Sequence, residues 1–286
     1  MKGLQRISGL SCGLIGVTDL ERSMHFYCEG LGFRDAGTRV VDPELGVRRC
    51  RLESEGRFLV LETVPETNHS AWVGDDLQLG MRHIGMKVHD VELWAERARA
   101  AGARFTVEPK DAFGGVRIAF FQDPDGSLLE FVQGNVQYNK VCSEELVARE
   151  ASLSVPVRPR VDHVAVSVGS LEASLRFYEG HLGFRVIGQL VRGDDPRGFV
   201  ITYCQAGQCV LEMFSFSVPM RPNSWQPDLV APGLLRLCLS ASNIKEAERE
   251  LVAAGAVRHR VPYGAGYAPV YSDPDGTPVE LVEVGL

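Results

Sequence analysis

The chain has 286 residues, of which 45% are hydrophobic and 23% are charged. This length accommodates two ordinary domains, and the composition is that of a globular protein. The formal net charge of −7 argues against nucleic acid or an anionic membrane as a partner. No apolar run is long enough to span a membrane, and the first residues lack a signal-peptide pattern. Seven cysteines without a CxxC pair favour reduced thiols in a cytoplasmic protein.

Internal repeats divide the chain into two similar halves. Gly16–Gly37 recurs as Ser167–Gly188, and Phe120–Val132 recurs as Val270–Val282. Repeats of this kind indicate one domain that has been duplicated.

The expected boundaries follow from the repeats. The first domain is predicted at 1–136, a linker at 137–158 and the second domain at 159–286. Within each half, the order strand, helix and three strands occurs twice. The chain is therefore predicted to be α+β, with four βαβββ units at about 9–64, 81–133, 160–215 and 233–284.

The elements of these units can be followed along the chain. Unit one opens with a strand at Leu10–Val17, and Asp19 is a plausible N-cap of the helix that follows. Unit two has a strand at Met81–Val88 and a helix at Val91–Ala101. Unit three repeats unit one, with Ser170 as the helix cap. Units two and four contain a DPDG tight turn before their last strand.

A sheet with a helix on one face leaves the other face uncovered. Two units side by side would curve these open faces into a cup, where a ligand would bind. We expect the units to pair within each half; exchange of units between two chains, in a homodimer, is the alternative.

Alternation within the strands places polar side chains on the cup face. In Met81–Val88 the apolar residues face the helix, which leaves His83 on the opposite side, and Glu130 faces the same way between Leu129 and Phe131. Alignment of the units gives two recurrent positions, one in each first strand and one in each last strand. The first strands carry Cys12, His83, His163 and Arg236, and the last strands carry Glu62, Glu130, Glu212 and Glu280.

Four glutamates at one repeat position indicate a function. Strand interiors disfavour glutamate, and a buried carboxylate is costly unless it is paired or bound to a cation. Taken singly, His83 would be interpreted as a core histidine and Glu130 as part of a solvated strand face. Taken together, these residues favour a metal site.

The motifs LERSMHFYCEGLGF, LEASLRFYEGHLGF and GGVRIAFFQDPDGSLLEF resemble the vicinal oxygen chelate superfamily. That superfamily includes glyoxalase I, the bleomycin resistance proteins and the extradiol dioxygenases. The resemblance extends over nearly the whole chain. It implies tandem glyoxalase-like domains with a divalent metal at the bottom of each cup, bound by the first and last strands of two paired units.

Transferred by position, the resemblance gives two sets of residues. The first cup would contain Cys12, Glu62, His83 and Glu130, and the second would contain His163, Glu212, Arg236 and Glu280. We expect the first cup to bind Zn, Ni, Co, Mn or Fe(II) through Glu62, His83 and Glu130, with Cys12 either a further ligand or part of the wall.

The second cup is expected to be degenerate or repurposed, because Arg236 introduces a permanent cation. Arg236 would either neutralise Glu212 and Glu280 or contact a substrate anion.

The resemblance implies three functions. The first is a metal-dependent lyase or isomerase that acts on a small vicinally oxygenated metabolite through a metal-stabilised enediolate, with Glu130 as the catalytic base. The second is an extradiol dioxygenase, which is disfavoured because Arg236 replaces a histidine. The third is a metal-free drug- or metabolite-binding resistance protein.

Overall fold

The computed structural model describes residues 7–42, 46–69, 71–263 and 266–283. Within these ranges the side chains of residues 12, 41, 42, 262, 263, 266 and 267 lie outside the description. The fold is α+β and consists of four βαβββ units, as predicted.

The first half contains units one and two. The elements of unit one are β1 (Ile7–Val17), α1 (Leu20–His25), a π-helical continuation (Phe26–Gly30), β2 (Arg34–Asp42), β3 (Val47–Ser54) and β4 (Arg57–Thr63). Those of unit two are β5 (Gly80–Lys87), α2 (Val91–Ala100), β6 (Arg104–Ala112), β7 (Val116–Gln122) and β8 (Leu128–Gln133).

The linker contributes β9 (Lys140–Val141) and α3 (Glu144–Ala151) before the second half begins. The elements of unit three are β10 (Arg160–Ser167), α4 (Leu171–Leu175), a π-helical continuation (Arg176–His181), β11 (Arg185–Val191), β12 (Val200–Ala206) and β13 (Cys209–Ser215). Those of unit four are β14 (Gly233–Ala241), α5 (Ile244–Ala253), β15 (Val257–Tyr263), β16 (Gly266–Ser272) and β17 (Pro278–Glu283).

Polar N-caps start the helices where the sequence predicts them. The side chains of Asp19, Asp90, Ser170 and Asn243 each accept a hydrogen bond from the backbone N–H three residues later. Each cap satisfies one of the N–H groups that the first helical turn leaves unpaired.

The units pair across the two halves. One sheet has the order β15-β16-β17-β14-β1-β4-β3-β2, and the other has the order β6-β7-β8-β5-β10-β13-β12-β11-β9. Unit one therefore pairs with unit four, and unit two pairs with unit three. The expectation that units pair within each half is wrong. We call the cup of units two and three the inner cup and the cup of units one and four the outer cup.

The two units of each cup meet at its centre, where their first strands pair in antiparallel orientation. In the inner cup, β5 pairs with β10, so that Gly85 lies opposite His163 and Ala165 lies opposite His83. The small residues leave room for both imidazole rings. In the outer cup, β1 pairs with β14, and Leu14 lies opposite Arg236. Each last strand lies parallel to the first strand of its own unit, which places its glutamate beside the join.

The apolar faces of the central strands share one core. Ile15, Ile84, Val164 and Leu239 are fully buried in a single cluster that includes residues of both sheets. Because strand side chains alternate between the two faces, the polar residues of both cups point away from this core.

The DPDG turns connect the two units of each half. The Tyr27 hydroxyl donates a 2.8 Å hydrogen bond to Asp123 Oδ2, and the Tyr178 hydroxyl donates an equivalent bond to Asp273 Oδ2. All four side chains are buried. These turns therefore stabilise the packing of unit one on unit two and of unit three on unit four, besides reversing the chain.

The linker packs on the inner-cup sheet. β9 pairs with β11 at the sheet edge, and Leu146 of α3 packs with Ile187 and Tyr203. Among the described residues, no helix is long and apolar enough to cross a membrane.

Replacement of Gly85 by alanine tests the pairing of the two halves. A Cβ at Gly85 would lie 2.0–2.5 Å from three His163 ring atoms, so the ring or the strand must move. We expect Gly85→Ala to lower the free energy of unfolding by about 1–3 kcal/mol, measured by urea denaturation. Gly180→Ala is the control, because its Cβ would meet only Leu175 O, at 3.9 Å. Equal effects of the two substitutions would contradict the pairing.

Candidate functional site

The inner cup brings two histidines and two glutamates together at the join of β5 and β10. His83 and His163 come from the two first strands, and Glu130 and Glu212 come from the last strands β8 and β13. All four side chains are buried, with relative exposures of 2–6%. The site therefore combines one histidine and one glutamate from each half of the chain.

Four donor atoms of these residues lie around one point. The Nε2 atoms of His83 and His163 are 3.0 Å apart. Glu130 Oε2 is 3.3 Å from His83 Nε2 and 3.1 Å from His163 Nε2. Glu212 Oε2 is 3.4 Å from each of the two nitrogens.

These separations suit a metal ion. Ligand atoms about 2.1 Å from one ion lie roughly 3.0–3.4 Å from each other in octahedral or tetrahedral geometry. Within the described residues, Glu212 Oε2 is buried and has no hydrogen-bond partner of good geometry. His83, His163 and Glu212 form a buried group that could hold a metal. The donor set fits a divalent ion such as Zn²⁺, Ni²⁺, Co²⁺, Mn²⁺ or Fe²⁺.

The carboxylates demand positive charge at the centre of the cup. Burial alone would lower the pKa of both imidazoles, but Glu130 and Glu212 outweigh burial and raise it, strongly for His163. Burial would raise the pKa of Glu130, but the two histidines hold it at about 2. Two protons, or one divalent cation in their place, would therefore balance the two carboxylates.

Neighbouring residues orient the donors. Asp162 Oδ2 lies 3.3 Å from His163 Nδ1, so it can fix the tautomer that leaves Nε2 facing the centre. Tyr203 lies directly opposite Glu212 in the β12–β13 pair, and burial together with the Glu212 carboxylate raises the pKa of the Tyr203 hydroxyl. Glu130 instead lies opposite Phe120 across the β7–β8 pair.

The inner cup is lined by aromatic rings. The ring centroid of His83 is 5.0 Å from that of Phe120 and 5.9 Å from that of Phe214. Phe214 also packs against Phe199. The low exposure of all four donor residues is consistent with this aromatic surrounding.

The outer cup contains an ion-pair cluster where the inner cup has its histidines. Arg49 donates from Nε to Glu62 at 2.5 Å, and from Nη1 and Nη2 to the two oxygens of Glu280 at 2.5 and 3.0 Å. Arg236 Nη1 donates to Glu280 at 2.8 Å and lies 3.6 Å from Glu62. Two guanidinium groups thus provide the two positive charges that these carboxylates require.

The two residue groups predicted from the sequence are therefore wrong in their membership. Glu62 lies with Arg236 and Glu280 in the outer cup, whereas His83 and Glu130 lie with His163 and Glu212 in the inner cup. The physical reason is the pairing of the first strands across the halves. Arg236 neutralises Glu280, not Glu212. β1, which carries Cys12, belongs to the outer-cup sheet, and the Cys12 side chain lies outside the described residues.

Sequence reasoning missed Arg49 and Tyr203. A readable signal existed for both. In β3 the buried Cys50 and Leu52 alternate with Arg49, which places Arg49 on the cup face. Tyr203 lies directly opposite Glu212 in the β12–β13 pair.

Comparisons with known proteins agree with this architecture. Residues 7–131 and 160–281 match the family model of the Glyoxalase/Bleomycin resistance protein/Dioxygenase superfamily. A putative lactoylglutathione lyase of Brassica oleracea var. gemmifera is 27% identical over 274 residues, which cover 93% of this chain and 88% of that protein. A lactoylglutathione lyase of Arabidopsis thaliana is 28% identical over 179 residues, which cover 62% of this chain.

The matched stretch spans 55% of the Arabidopsis protein, about half its length. The crystal structure of glyoxalase I from Zea mays superimposes with a TM-score of 0.69 and 22% identity, covering 96% of this chain and 92% of that chain. This likeness shows a shared fold.

The outer-cup cluster predicts a specific acid sensitivity. Burial would raise the pKa of Glu280, but Arg49 and Arg236 outweigh burial and lower it below its ordinary value. A depressed carboxyl pKa contributes stability above the unfolded-state value of about 4.3, and this contribution is lost as the pH falls. Glu280→Gln should therefore cost about 3 kcal/mol of unfolding free energy at pH 7 and progressively less towards pH 3.

Urea denaturation at several pH values measures this loss. Glu108→Gln is the control, since Glu108 forms an exposed pair with Arg99 and its loss should cost under about 1 kcal/mol. A Glu280→Gln loss that stays constant from pH 7 to pH 3 would contradict the ion-pair account.

Proposed function

The chain belongs to the Glyoxalase/Bleomycin resistance protein/Dioxygenase superfamily, and on that basis we propose that it is a metal-dependent glyoxalase-like lyase with the inner cup as its active site. The observation that carries the proposal is that one oxygen of Glu130 and one of Glu212 each lie 3.1–3.4 Å from two imidazole nitrogens that are themselves 3.0 Å apart. A buried set of this kind is difficult to explain without a cation at its centre.

His83, His163, Glu130 and Glu212 would hold the metal. When bound, a divalent ion would act as a Lewis acid towards negative charge on substrate oxygens. Glu62 and Glu280 are excluded from this role, because they already form ion pairs with Arg49 and Arg236.

The two glutamates are proposed to have different roles. Glu212 lies opposite Tyr203 in the β12–β13 pair, and a hydroxyl at this position suits the support of a permanent ligand. Glu130 faces the Phe120 ring instead. Glu130 is therefore the better candidate for the base that takes a proton from the carbon beside a carbonyl and returns it to the neighbouring carbon. The aromatic lining would keep this proton from exchanging with water.

The relatives' names provide the substrate to test. Two of them are named lactoylglutathione lyase, one as putative. The hemithioacetal of methylglyoxal and glutathione is an isomer of lactoylglutathione. To interconvert them, a C–H proton moves to the adjacent carbon and the hydroxyl proton moves from the first oxygen to the neighbouring one. It is a small vicinally oxygenated compound of the class expected from the sequence.

One observation favours an extradiol dioxygenase as the second candidate. Arg236 was expected to replace the second histidine, but His163 and His83 together provide two histidines beside a carboxylate. Ring-cleaving Fe(II) sites use two histidines and one carboxylate. The additional glutamate leaves fewer open positions for oxygen and substrate, so the lyase remains the first proposal.

The proposal also covers the location of the protein and its oligomeric state. A cytoplasmic location rests on the cysteine pattern. Each cup is built from residues of a single chain, so neither requires a second copy; a homodimer remains a prediction.

Metal analysis of purified protein tests the inner cup. We expect about one divalent ion per chain, and at least a tenfold loss of affinity in His163→Ala and in His83→Ala. Glu62→Gln is the matched control, because Glu62 occupies the same repeat position in the outer cup and should leave the metal content unchanged. Loss of metal in Glu62→Gln with retention of metal in His163→Ala would overturn the proposal. If the wild-type protein binds no metal, the metal-free binding protein is favoured instead.

The activity test is formation of the thioester lactoylglutathione from the hemithioacetal. Metal-loaded wild type should produce it, and Glu130→Gln should lower kcat by at least about 100-fold, because the base is lost. Oxygen uptake with a catechol and no thioester formation would instead support the dioxygenase.

A further inference from the structure

The outer cup contains a cavity that the proposed lyase activity does not use. It has a volume of about 810 Å³ and lies between the cup face of unit one and the hairpin at Gly207 and Gln208 of unit three. Apolar side chains form much of its wall: Leu10, Leu14, Phe58, Val60 and Val282. The cavity could therefore accommodate an organic molecule with a ring or a branched chain.

The charges on the cavity wall are predominantly positive. Four arginines line it, at positions 39, 49, 51 and 57, against two glutamates, at positions 280 and 283. Arg49 is already committed to Glu62 and Glu280. Arg39, Arg51 and Arg57 form no ion pair within the described residues, although the whole chain carries a net charge of −7.

Two of these arginines have buried nitrogens without a partner. The Nε atoms of Arg51 and Arg57 are buried, and within the described part of the chain neither donates a hydrogen bond. The Arg51 guanidinium lies 3.9 Å from the centroid of the Phe58 ring, which holds it at the wall. Among the described residues, Arg57 donates from Nη1 alone, to Gln208 Oε1 at 2.5 Å.

The register of the sheet adds a further unfavourable contact. Arg39 of β2 lies directly opposite Arg49 of β3. Like charges at directly opposite positions destabilise a sheet, and buried donors without acceptors cost about 1–3 kcal/mol each. An anion in the cavity would relieve both costs.

We infer that the outer cup is a second ligand site, which binds a small organic anion with its carboxylate, sulfonate or phosphate group near Arg51 and Arg57 and its apolar part against Leu14, Phe58 and Val60. The site is separate from the metal centre of the inner cup, and it does not depend on the proposed lyase activity. Of the ion-pair cluster, Arg49 and Glu280 line this cavity.

Dye binding to the metal-loaded full-length protein tests this inference. The dye is 8-anilinonaphthalene-1-sulfonate, and N-phenyl-1-naphthylamine provides the same rings without the charge. We expect one sulfonate dye per chain, bound at least tenfold more tightly than the neutral dye. The Arg51→Gln, Arg57→Gln double variant should weaken sulfonate binding at least tenfold.

Two controls separate charge recognition from general effects. The double variant Arg99→Gln, Arg176→Gln alters two exposed arginines, which changes the net charge equally and should leave the dissociation constant within twofold. Ser240→Phe keeps every charge but adds a ring at a residue that lines the cavity, and it should also weaken binding at least tenfold. Circular dichroism and metal content establish that each variant is folded.

The inference would be overturned by equal binding of the two dyes, by wild-type affinity in the Arg51→Gln, Arg57→Gln variant, or by no sulfonate binding to the wild type. Sulfonate binding that is lost in His83→Ala but retained in Ser240→Phe would assign the dye to the inner cup. This result would also overturn the inference.

Discussion

The antiparallel pairing of first strands from opposite halves determines the chemistry of both cups. Because β5 pairs with β10, His83 and His163 approach to 3.0 Å, and the parallel last strands place Glu130 and Glu212 beside them. The pairing of β1 with β14 places Arg236 between Glu62 and Glu280 in the same way. Neither cluster exists within one half of the chain, so each forms only when the two halves fold together.

The two cups meet one electrostatic requirement by different means. Each contains two glutamates that are buried or, in the case of Glu280, largely buried, and these need about two positive charges to be tolerated. In the outer cup, Arg49 and Arg236 provide them permanently, and Arg49 adds bidentate geometry to Glu280. In the inner cup, the imidazoles can give up their protons, so a divalent ion can replace them. Because Arg49 and Arg236 already balance the outer-cup glutamates, the metal centre is assigned to the inner cup alone.

Much of the architecture could be predicted from the sequence. The repeats define the four units, and strand alternation correctly places His83 and Glu130 on the cup face. The grouping of the ligands could not be derived, because all four first strands have similar patterns and local sequence does not specify which of them meet. The contribution of Gly85 became clear only from the register, where its missing side chain leaves space for the His163 ring.

X-ray absorption spectroscopy of the metal-loaded protein tests the central claim most directly, because it identifies the atoms bound to the ion. Pairing across the halves predicts two imidazoles among nitrogen and oxygen neighbours at about 2.0–2.2 Å, with no sulfur. Pairing within the first half would instead give one imidazole, with or without a sulfur neighbour from Cys12 at about 2.3 Å. A spectrum with a single imidazole would contradict the assignment of His83 and His163 to one metal centre.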